Sequence, residues 1–332
     1  MIWITFFVSA AVIILAGTQL SKNADIIAYK TGLSGALIGA LLLPIVTSLP
    51  EIVTSAQSAL IDNPDIALGN VFGSNMFNIL VIAVVDVAQG RGPVLLHVKL
   101  GHILTAGIGM LLASLAAIFI LVQIDIGIFG IGIDTLILAG IYLAGLRLLI
   151  RYDKKDTQAE KEDFNEEHQY AKESLKKSIT IFVIAGVFIV ISGRFLAISG
   201  DEIAKVTGLG GSFVGSFLVA ITTSLPELVA TFTAAKLGAF DMAIGNLLGA
   251  NIMNVLIIFF TDLFYVGRPV LTNVSTDNAI TALFGIFLTT IAIIGLIYRS
   301  KKSVLTLGFD SWAIIIGYIM AALIMFNLGM SV

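Results

Sequence analysis

The 332-residue sequence contains no cysteine, three histidines and six prolines. The missing thiols exclude disulfides and thiolate metal centres and leave the redox compartment open. His97, His102 and His168 show no H-E-x-x-H spacing, so a catalytic metal site is not expected and the three read as interfacial or loop residues. Charge is also scarce: Asp, Glu, Lys and Arg make up 12% of the chain and the net charge is −3, against roughly 25% charged residues in a soluble domain. Composition therefore excludes an ordinary soluble domain. No nucleic-acid partner, no cofactor and no obligate protein partner is expected, and the chain does not read as an enzyme.

What fills the space is apolar. Hydrophobic residues account for 58% of the chain and the mean hydropathy is +1.01, values of a polytopic membrane protein whose partner is the lipid bilayer. A membrane-spanning helix needs about 20 apolar residues, and ten such stretches are predicted, over 2–21, 33–60, 65–88, 100–122, 126–149, 177–198, 208–235, 242–265, 279–298 and 310–328. Their length and continuous apolarity exclude barrel strands, so the expected fold class is all-α. The first stretch lacks a basic n-region and an A-x-A-like site before the next charge, which predicts a retained span rather than a cleaved leader.

The chain also repeats itself. TGLSGALIGALLLPIVTSLPE and DIALGNVFGSNMFN, within 31–78, return as TGLGGSFVGSFLVAITTSLPE and DMAIGNLLGANIMN, within 207–254. The copies align without a gap at an offset of 176 residues, pairing Glu51 with Glu227, Asn70 with Asn246 and Asn78 with Asn254. Five predicted spans separate equivalent points, and an odd number inverts the second copy in the membrane, the plan of many secondary transporters. The expected organisation is a five-helix half over 1–150, a charged loop over 151–176 and a second five-helix half over 177–332. With that loop in the cytoplasm, only Arg194, Lys205 and Arg268 of the 19 lysines and arginines fall outside. The positive-inside rule then places both termini outside a multi-pass protein of the plasma membrane. The loop mixes both charge signs and lacks a calcium-loop pattern, so it reads as a solvated linker.

Each repeat carries a glutamate within an apolar stretch. Thr47, Ser48, Thr54 and Ser55 lie three or four residues from Glu51, on its helical face, as Thr223, Ser224 and Thr231 do for Glu227. In the following span Asn70, Ser74 and Asn78 recur at intervals of four, matched by Asn246, Ala250 and Asn254. Asn70, Asn75, Asn246 and Asn251 also suit hydrogen bonding between helices. Asp65 and Asp241 open their helices and suit the positive end of the dipole. Pro50 and Pro226 have no N–H to give the carbonyls of Val46 and Thr222, which predicts broken helices at matching places; Pro44 adds a further break. Glycines at 32, 35 and 39, and at 208, 211 and 215, permit close helix approach or unwinding.

Carboxylate, hydroxyl, amide and carbonyl oxygens suit a hard cation such as Ca²⁺, Mg²⁺ or Na⁺. One charged residue at a helix centre costs roughly 2.5–3.5 kcal/mol on insertion scales. Two facing glutamates would repel, and a divalent ion between them relieves both penalties. A midplane cation site between broken helices is therefore expected. Intramembrane proteolysis is disfavoured, because Asp153 lies in the charged loop and GIGID at 130–134 has one residue too many for GxGD. A channel is disfavoured because duplicated broken helices fit alternating access better than a continuous pore.

TSLPE followed by GNVFGSN, and again by GNLLGAN, resembles the α-1 and α-2 repeats of the sodium/calcium exchanger branch of the cation/Ca²⁺ antiporter superfamily, in its compact prokaryotic form. The resemblance spans both repeats, and the ten-span plan extends it over the chain. It implies antiport of Ca²⁺ against Na⁺, with Glu51 and Glu227 sharing Ca²⁺ with oxygens of Thr47 and Thr223. It implies Na⁺ positions built from Ser48, Ser74, Asn78, Ser224 and Asn254, with backbone oxygens near Pro44 and Ala220, and spans one and six as a sliding pair. Four features depart from the pattern. The glycine usual before TSLPE is Val46 and Thr222, a usual small residue is Pro44, the second GSN serine is Ala250, and an often acidic position is Asn254. H⁺-coupled Ca²⁺ antiport and Mg²⁺ transport within the same superfamily are the alternatives.

Overall fold

The computed structural model describes residues 1–31, 43–89, 93–159, 173–208, 211–236, 238–265, 267–300, 303–304 and 307–329. The described residues are helical apart from loops, two short 3₁₀ turns and two minimal β-pairs. In the first half the helices are α1 (Ile2–Thr31), α2 (Leu43–Thr47), α3 (Leu49–Leu60), α4 (Pro64–Gln89), α5 (His102–Val122) and α6 (Ile133–Ala159). In the second they are α7 (Leu175–Thr207), α8 (Gly211–Thr223), α9 (Leu225–Lys236), α10 (Phe240–Phe264), α11 (Asp277–Tyr298) and α12 (Phe309–Gly329).

Among the described residues, eight helices are long and apolar enough to cross a membrane, and nine if the bent pair α8 and α9 counts as one span. The beginning of the second expected span, with Gly32, Gly35 and Gly39, lies outside the described residues. Several boundaries differ from expectation. α1 continues to Thr31 because no proline or glycine interrupts 19–31. α7 runs 33 residues, to Thr207. There Gly208, at φ +69°, turns left-handed and its N–H bonds Ala204 O at 3.1 Å, a glycine C-cap. The fifth span begins at Ile133 rather than 126, because β1 (Gly127–Ile128) and β2 (Ile131–Gly132) form a hairpin whose two turn residues, Phe129 and Gly130, have positive φ. A second pair, β3 (Ser303–Val304) with β4 (Leu307–Gly308), precedes α12. α6 carries helix into the expected linker as far as Ala159, and residues 160–172, with His168, lie outside the described set.

Burial sorts the helices into a centre and a shell. In α4 89% of the span is buried and in α10 83%, against 33% in each of α1 and α7. Around α4 and α10 pack α3, α5, α9 and α11, while α1 and α7 lie along one another on the outside. The outer pair touches the centre through large apolar side chains, Phe6, Ile13, Leu196 and Ile203 against Ile66, Val214 and Val219, and at two places through glycine. A Cβ added at Gly17 would lie 2.5 Å from Pro226 Cγ, and one at Gly193 would lie 3.1 Å from Val53 Cγ1. α4 and α8 meet at backbone distance, where a Cβ added at Gly215 would lie 2.6 Å from Ile66 O. In this stretch, Val214–Val219, α8 loosens into a π-helix.

Hydrogen bonds across the two halves repeat the 176-residue offset. Asp86, on α4, accepts from Ser311 Oγ at 2.6 Å and from Gly308 N, beside β4 and α12. Asp262, on α10, accepts from Thr135 Oγ1 at 2.6 Å and Gly132 N at 2.7 Å, beside β2 and α6. Each aspartate also accepts the N–H of a 3₁₀ turn eight residues onward, at Val94 and Val270. Each central helix thus holds the hairpin of the other half.

Candidate cation site

The breaks in the two TSLPE stretches fall at Ser48 and Ser224. Both are non-helical, at φ −84°, ψ 9° and φ −85°, ψ 7°. Each lies two residues before a proline that cannot donate an N–H and whose ring crowds the preceding turn. α8 and α9 are bent by 43° across the second break. A serine at such a position ordinarily caps its own helix. Ser48 does not; its hydroxyl donates to Glu227 Oε1 at 3.2 Å, while Ser224 Oγ donates to Glu51 Oε1 at 2.9 Å. The helix breaks therefore exchange hydroxyls between halves and bring the two carboxylates into one pocket of polar groups.

Glu51 is 0% and Glu227 1% exposed. Both occupy first turns, of α3 and α9, where the helix dipole favours negative charge. Ser74 Oγ adds a bond to Glu51 Oε1 at 3.4 Å; its counterpart, Ala250, has no hydroxyl to give Glu227. Asn70 Nδ2 ties the backbone of Glu51 to Ser55 Oγ, at 3.4 and 3.0 Å, and Asn246 Nδ2 does the same for Glu227 and Thr231 at 3.5 and 3.1 Å. Deeper along α4 and α10, Asn78 Nδ2 donates to Asn251 Oδ1 at 2.9 Å and Asn254 Nδ2 to Asn75 Oδ1 at 3.0 Å.

Among these groups several acceptors are buried with no hydrogen-bond donor: Glu51 Oε2, Glu227 Oε2, Asn78 Oδ1, Asn254 Oδ1 and Asn246 Oδ1. A buried oxygen left without a partner is expensive, and a carboxylate oxygen more so. All five belong to hard ligand types, and none is sulfur or imidazole. Among the described residues no group of three or more His, Asp or Glu side chains is placed to hold a metal. Two carboxylates with neutral amide and hydroxyl oxygens around them can take hard cations as exchangeable cargo.

The structure thus joins Glu227 to Ser48 and Glu51 to Ser224 and Ser74, while Asn78 and Asn254 pair with Asn251 and Asn75; all nine are buried. Thr47 and Thr223 stand within reach of the Glu227 and Glu51 carboxylates respectively. In this conformation, however, the Thr47 hydroxyl donates to Leu43 O at 3.0 Å, and the Thr223 hydroxyl lies 2.9 Å from Asn70 Oδ1 and 3.1 Å from Val219 O. The backbone oxygens are already engaged. Pro44 O accepts from Ser48 N at 2.9 Å, and Ala220 O accepts from Ser224 N at 3.0 Å with the Thr223 hydroxyl 3.2 Å away.

The sequence reading missed Asp86 and Asp262 altogether, and it set His102 aside. His102 Nε2 lies 3.1 Å from Asp241 Oδ1, which also accepts Lys99 N at 2.8 Å. In the other half Asp65 Oδ1 accepts Ser275 N at 2.7 Å and Asn278 Nδ2 at 2.8 Å. These aspartates reach across to the neighbouring half as well as standing at helix starts. Extending the offset of 176 past the motif pairs Asp86 with Asp262.

Comparison with known proteins gives a consistent picture. The family model described as sodium/calcium exchanger protein matches residues 1–150 and 177–327. An uncharacterized membrane protein of Methanocaldococcus jannaschii is 30% identical over 231 residues, 69% of this chain and 70% of that protein. The sodium/calcium exchanger MaX1 of Methanosarcina acetivorans is 26% identical over 275 residues, covering 74% and 77%. Among solved structures, the sodium-calcium exchanger NCX_Mj soaked with zero Na⁺ and Ca²⁺ superposes with a TM-score of 0.62 at 22% identity, covering 96% of this chain and 97% of that one.

Proposed function

Because the chain belongs to the sodium/calcium exchanger family, we propose that it is a secondary antiporter exchanging Ca²⁺ for Na⁺ across the plasma membrane by alternating access. One observation carries the reading: two buried glutamates, cross-linked through each other's serines, each keep an oxygen with no donor. Ca²⁺ sits between Glu51 and Glu227, their combined charge of −2 matching one divalent ion, with Thr47 and Thr223 turning their hydroxyls inward. Na⁺ ions replace it at oxygens of Ser48, Ser224, Ser74, Asn78 and Asn254, and the carbonyls of Pro44 and Ala220 join when local helix bonds loosen.

The halves, 1–150 and 177–332, are inverted five-span repeats, ten spans in all, with both termini outside and the 151–176 loop in the cytoplasm. Support for the inversion comes from the reciprocal bonds of Asp86 and Asp262 and of Ser48 and Ser224. The outer pair α1 and α7 slides over the centre, exposing the site to one side and then the other. Gly17 and Gly193 bring the outer pair close to Pro226 and Val53 of the two broken helices without a side chain of their own to block the passage.

Radiolabelled Ca²⁺ uptake into Na⁺-loaded proteoliposomes, with no pH gradient and Mg²⁺ as competitor, tests the reading. Uptake that requires internal Na⁺ and resists Mg²⁺ is expected. Uptake indifferent to Na⁺ but driven by an inside-acid gradient, or displaced by Mg²⁺, would replace it with one of the other members' chemistries.

A further inference from the structure

A cavity of about 430 Å³ lies between α11, α12 and the 3₁₀ turn after Pro93, well away from the glutamates. Its volume is within the roughly 300–1,000 Å³ of small-molecule sites. Its wall is apolar, and it opens past Ile294 and Phe309, both exposed on the lipid-facing side of the bundle. At its rim stand Tyr298, 79% exposed, and Arg299. Asp310 also lines it, with its carboxylate turned to the backbone N–H groups of its own helix start.

The 176-residue offset shows how special this place is. Ala313 of the cavity wall corresponds to Ile137, so a longer, branched side chain stands where this half has a methyl group. Tyr298 and Arg299 correspond to Val122 and Gln123, although Gln123 and Arg299 share the same left-handed C-cap, at φ 53° and 50°. The sequence after Arg299 runs Ser-Lys-Lys, where the stretch after Gln123 runs Ile-Asp-Ile. Ala313, Tyr298 and Arg299 thus occur together around the cavity in one half, where the other half carries Ile137, Val122 and Gln123.

We propose that this cavity is a binding site for one anionic phospholipid, drawn from the leaflet on the side of the 151–176 loop. An acyl chain lies along the apolar wall over Ala313 and Gly295. Tyr298 sits at headgroup level, as aromatic residues do at the membrane interface. The phosphate is met by Arg299, which donates one N–H to Val98 O and has others to give. Basic pockets between membrane helices recognise anionic headgroups in this way. The site is independent of the exchange reaction and stands even if the transported ions are others.

Native mass spectrometry of the full-length protein, taken from bilayers of equimolar phosphatidylglycerol and phosphatidylcholine, tests it. One retained phosphatidylglycerol is expected, in preference to phosphatidylcholine. Arg299→Gln, which installs the residue of the other half, should lower that preference about fivefold. Ala313→Phe, which fills the cavity without entering the tight contact of Gly295 with Leu95 and Asp310, should abolish retention of either lipid. Thermal unfolding in detergent confirms that each variant is folded; should Ala313→Phe not fold, Arg299→Gln decides alone. Equal retention of the two lipids by the wild type, or undiminished phosphatidylglycerol in Arg299→Gln, would mean annular lipid only and overturn the proposal.

Discussion

Glu51→Gln replaces one of two buried carboxylates with a neutral group of the same shape. The amide can keep an oxygen against Ser224 Oγ, now 2.9 Å from Glu51 Oε1, so the helix break survives and the charge is what changes. A unit charge about 4 Å from a divalent ion attracts it with roughly 8 kcal/mol at an effective dielectric near 20, and a monovalent ion with half of that. Desolvation offsets much of the gross term, and breaking a buried pair by removing one partner typically costs about 3–5 kcal/mol. Ca²⁺ affinity should therefore fall on the order of 100- to 4,000-fold, and Na⁺ affinity much less. In proteoliposomes Na⁺-dependent Ca²⁺ uptake should vanish. A second readout separates this from misfolding. A ligand at about 100 times its Kd stabilises the folded state by about 2.7 kcal/mol, so wild-type protein should unfold at higher temperature in Ca²⁺ than in chelator. Glu51→Gln should lose that increment, while its ion-free form is no less stable than wild type, one of two repelling buried carboxylates having been removed. Wild-type uptake together with an undiminished Ca²⁺ increment would refute the assignment of Glu51 to the ion.

Other consequences follow from the symmetry and its exceptions. Ala250→Ser restores to Glu227 the hydroxyl that Ser74 gives Glu51 at 3.4 Å; the Na⁺ concentration for half-maximal Ca²⁺ release should drop several-fold, and an unchanged Na⁺ dependence would remove position 250 from the monovalent sites. Asp262→Ala strips acceptors from Gly132 N, Thr135 Oγ1 and Val270 N. At about 1–3 kcal/mol for each donor left buried, it should lower the unfolding midpoint markedly without altering ion selectivity in whatever protein remains folded. Gly17→Val places a branched side chain where a bare Cβ would already lie 2.5 Å from Pro226. Turnover should fall at least several-fold with Ca²⁺ binding retained, and full turnover would exclude close sliding of α1 over the second break.

The sequence makes the centre legible because its signals there are local and doubled. Two prolines beside two glutamates predict two breaks, and the breaks fall at Ser48 and Ser224. What stays hidden is which half a side chain serves. Nothing within reach of Ser48 along the chain reveals that its hydroxyl crosses 179 residues to Glu227. Asp86 and Asp262 were passed over for a different reason, since each sits near the end of an apolar span where a lone aspartate is ordinarily solvated. Both are buried, because a hairpin of the opposite half folds over them. The first hairpin is absorbed into the apolar run 126–149 by hydropathy, which cannot register that Phe129 and Gly130 turn the chain through positive φ.

An exchanger that opens alternately to two sides has a reason to keep its halves alike. With the repeats inverted as proposed, the same contacts must serve whichever side is open. The matched bonds of Ser48 to Glu227 and Ser224 to Glu51, of Asn78 to Asn251 and Asn254 to Asn75, and of Ser311 to Asp86 and Thr135 to Asp262 meet that demand. Departures from the offset then mark places where the two sides or the two ions are treated differently. Ser74 against Ala250 lies inside the site and distinguishes ions. His102 against Asn278, facing equivalent aspartates, and Ala313 against Ile137 lie near opposite membrane faces and distinguish sides. Exchanging the residues of one such pair across the halves, His102→Asn with Asn278→His, should leave the site bonds intact and transfer any side-specific property from one face to the other. A property that stays on its original face must be carried by residues outside the pair.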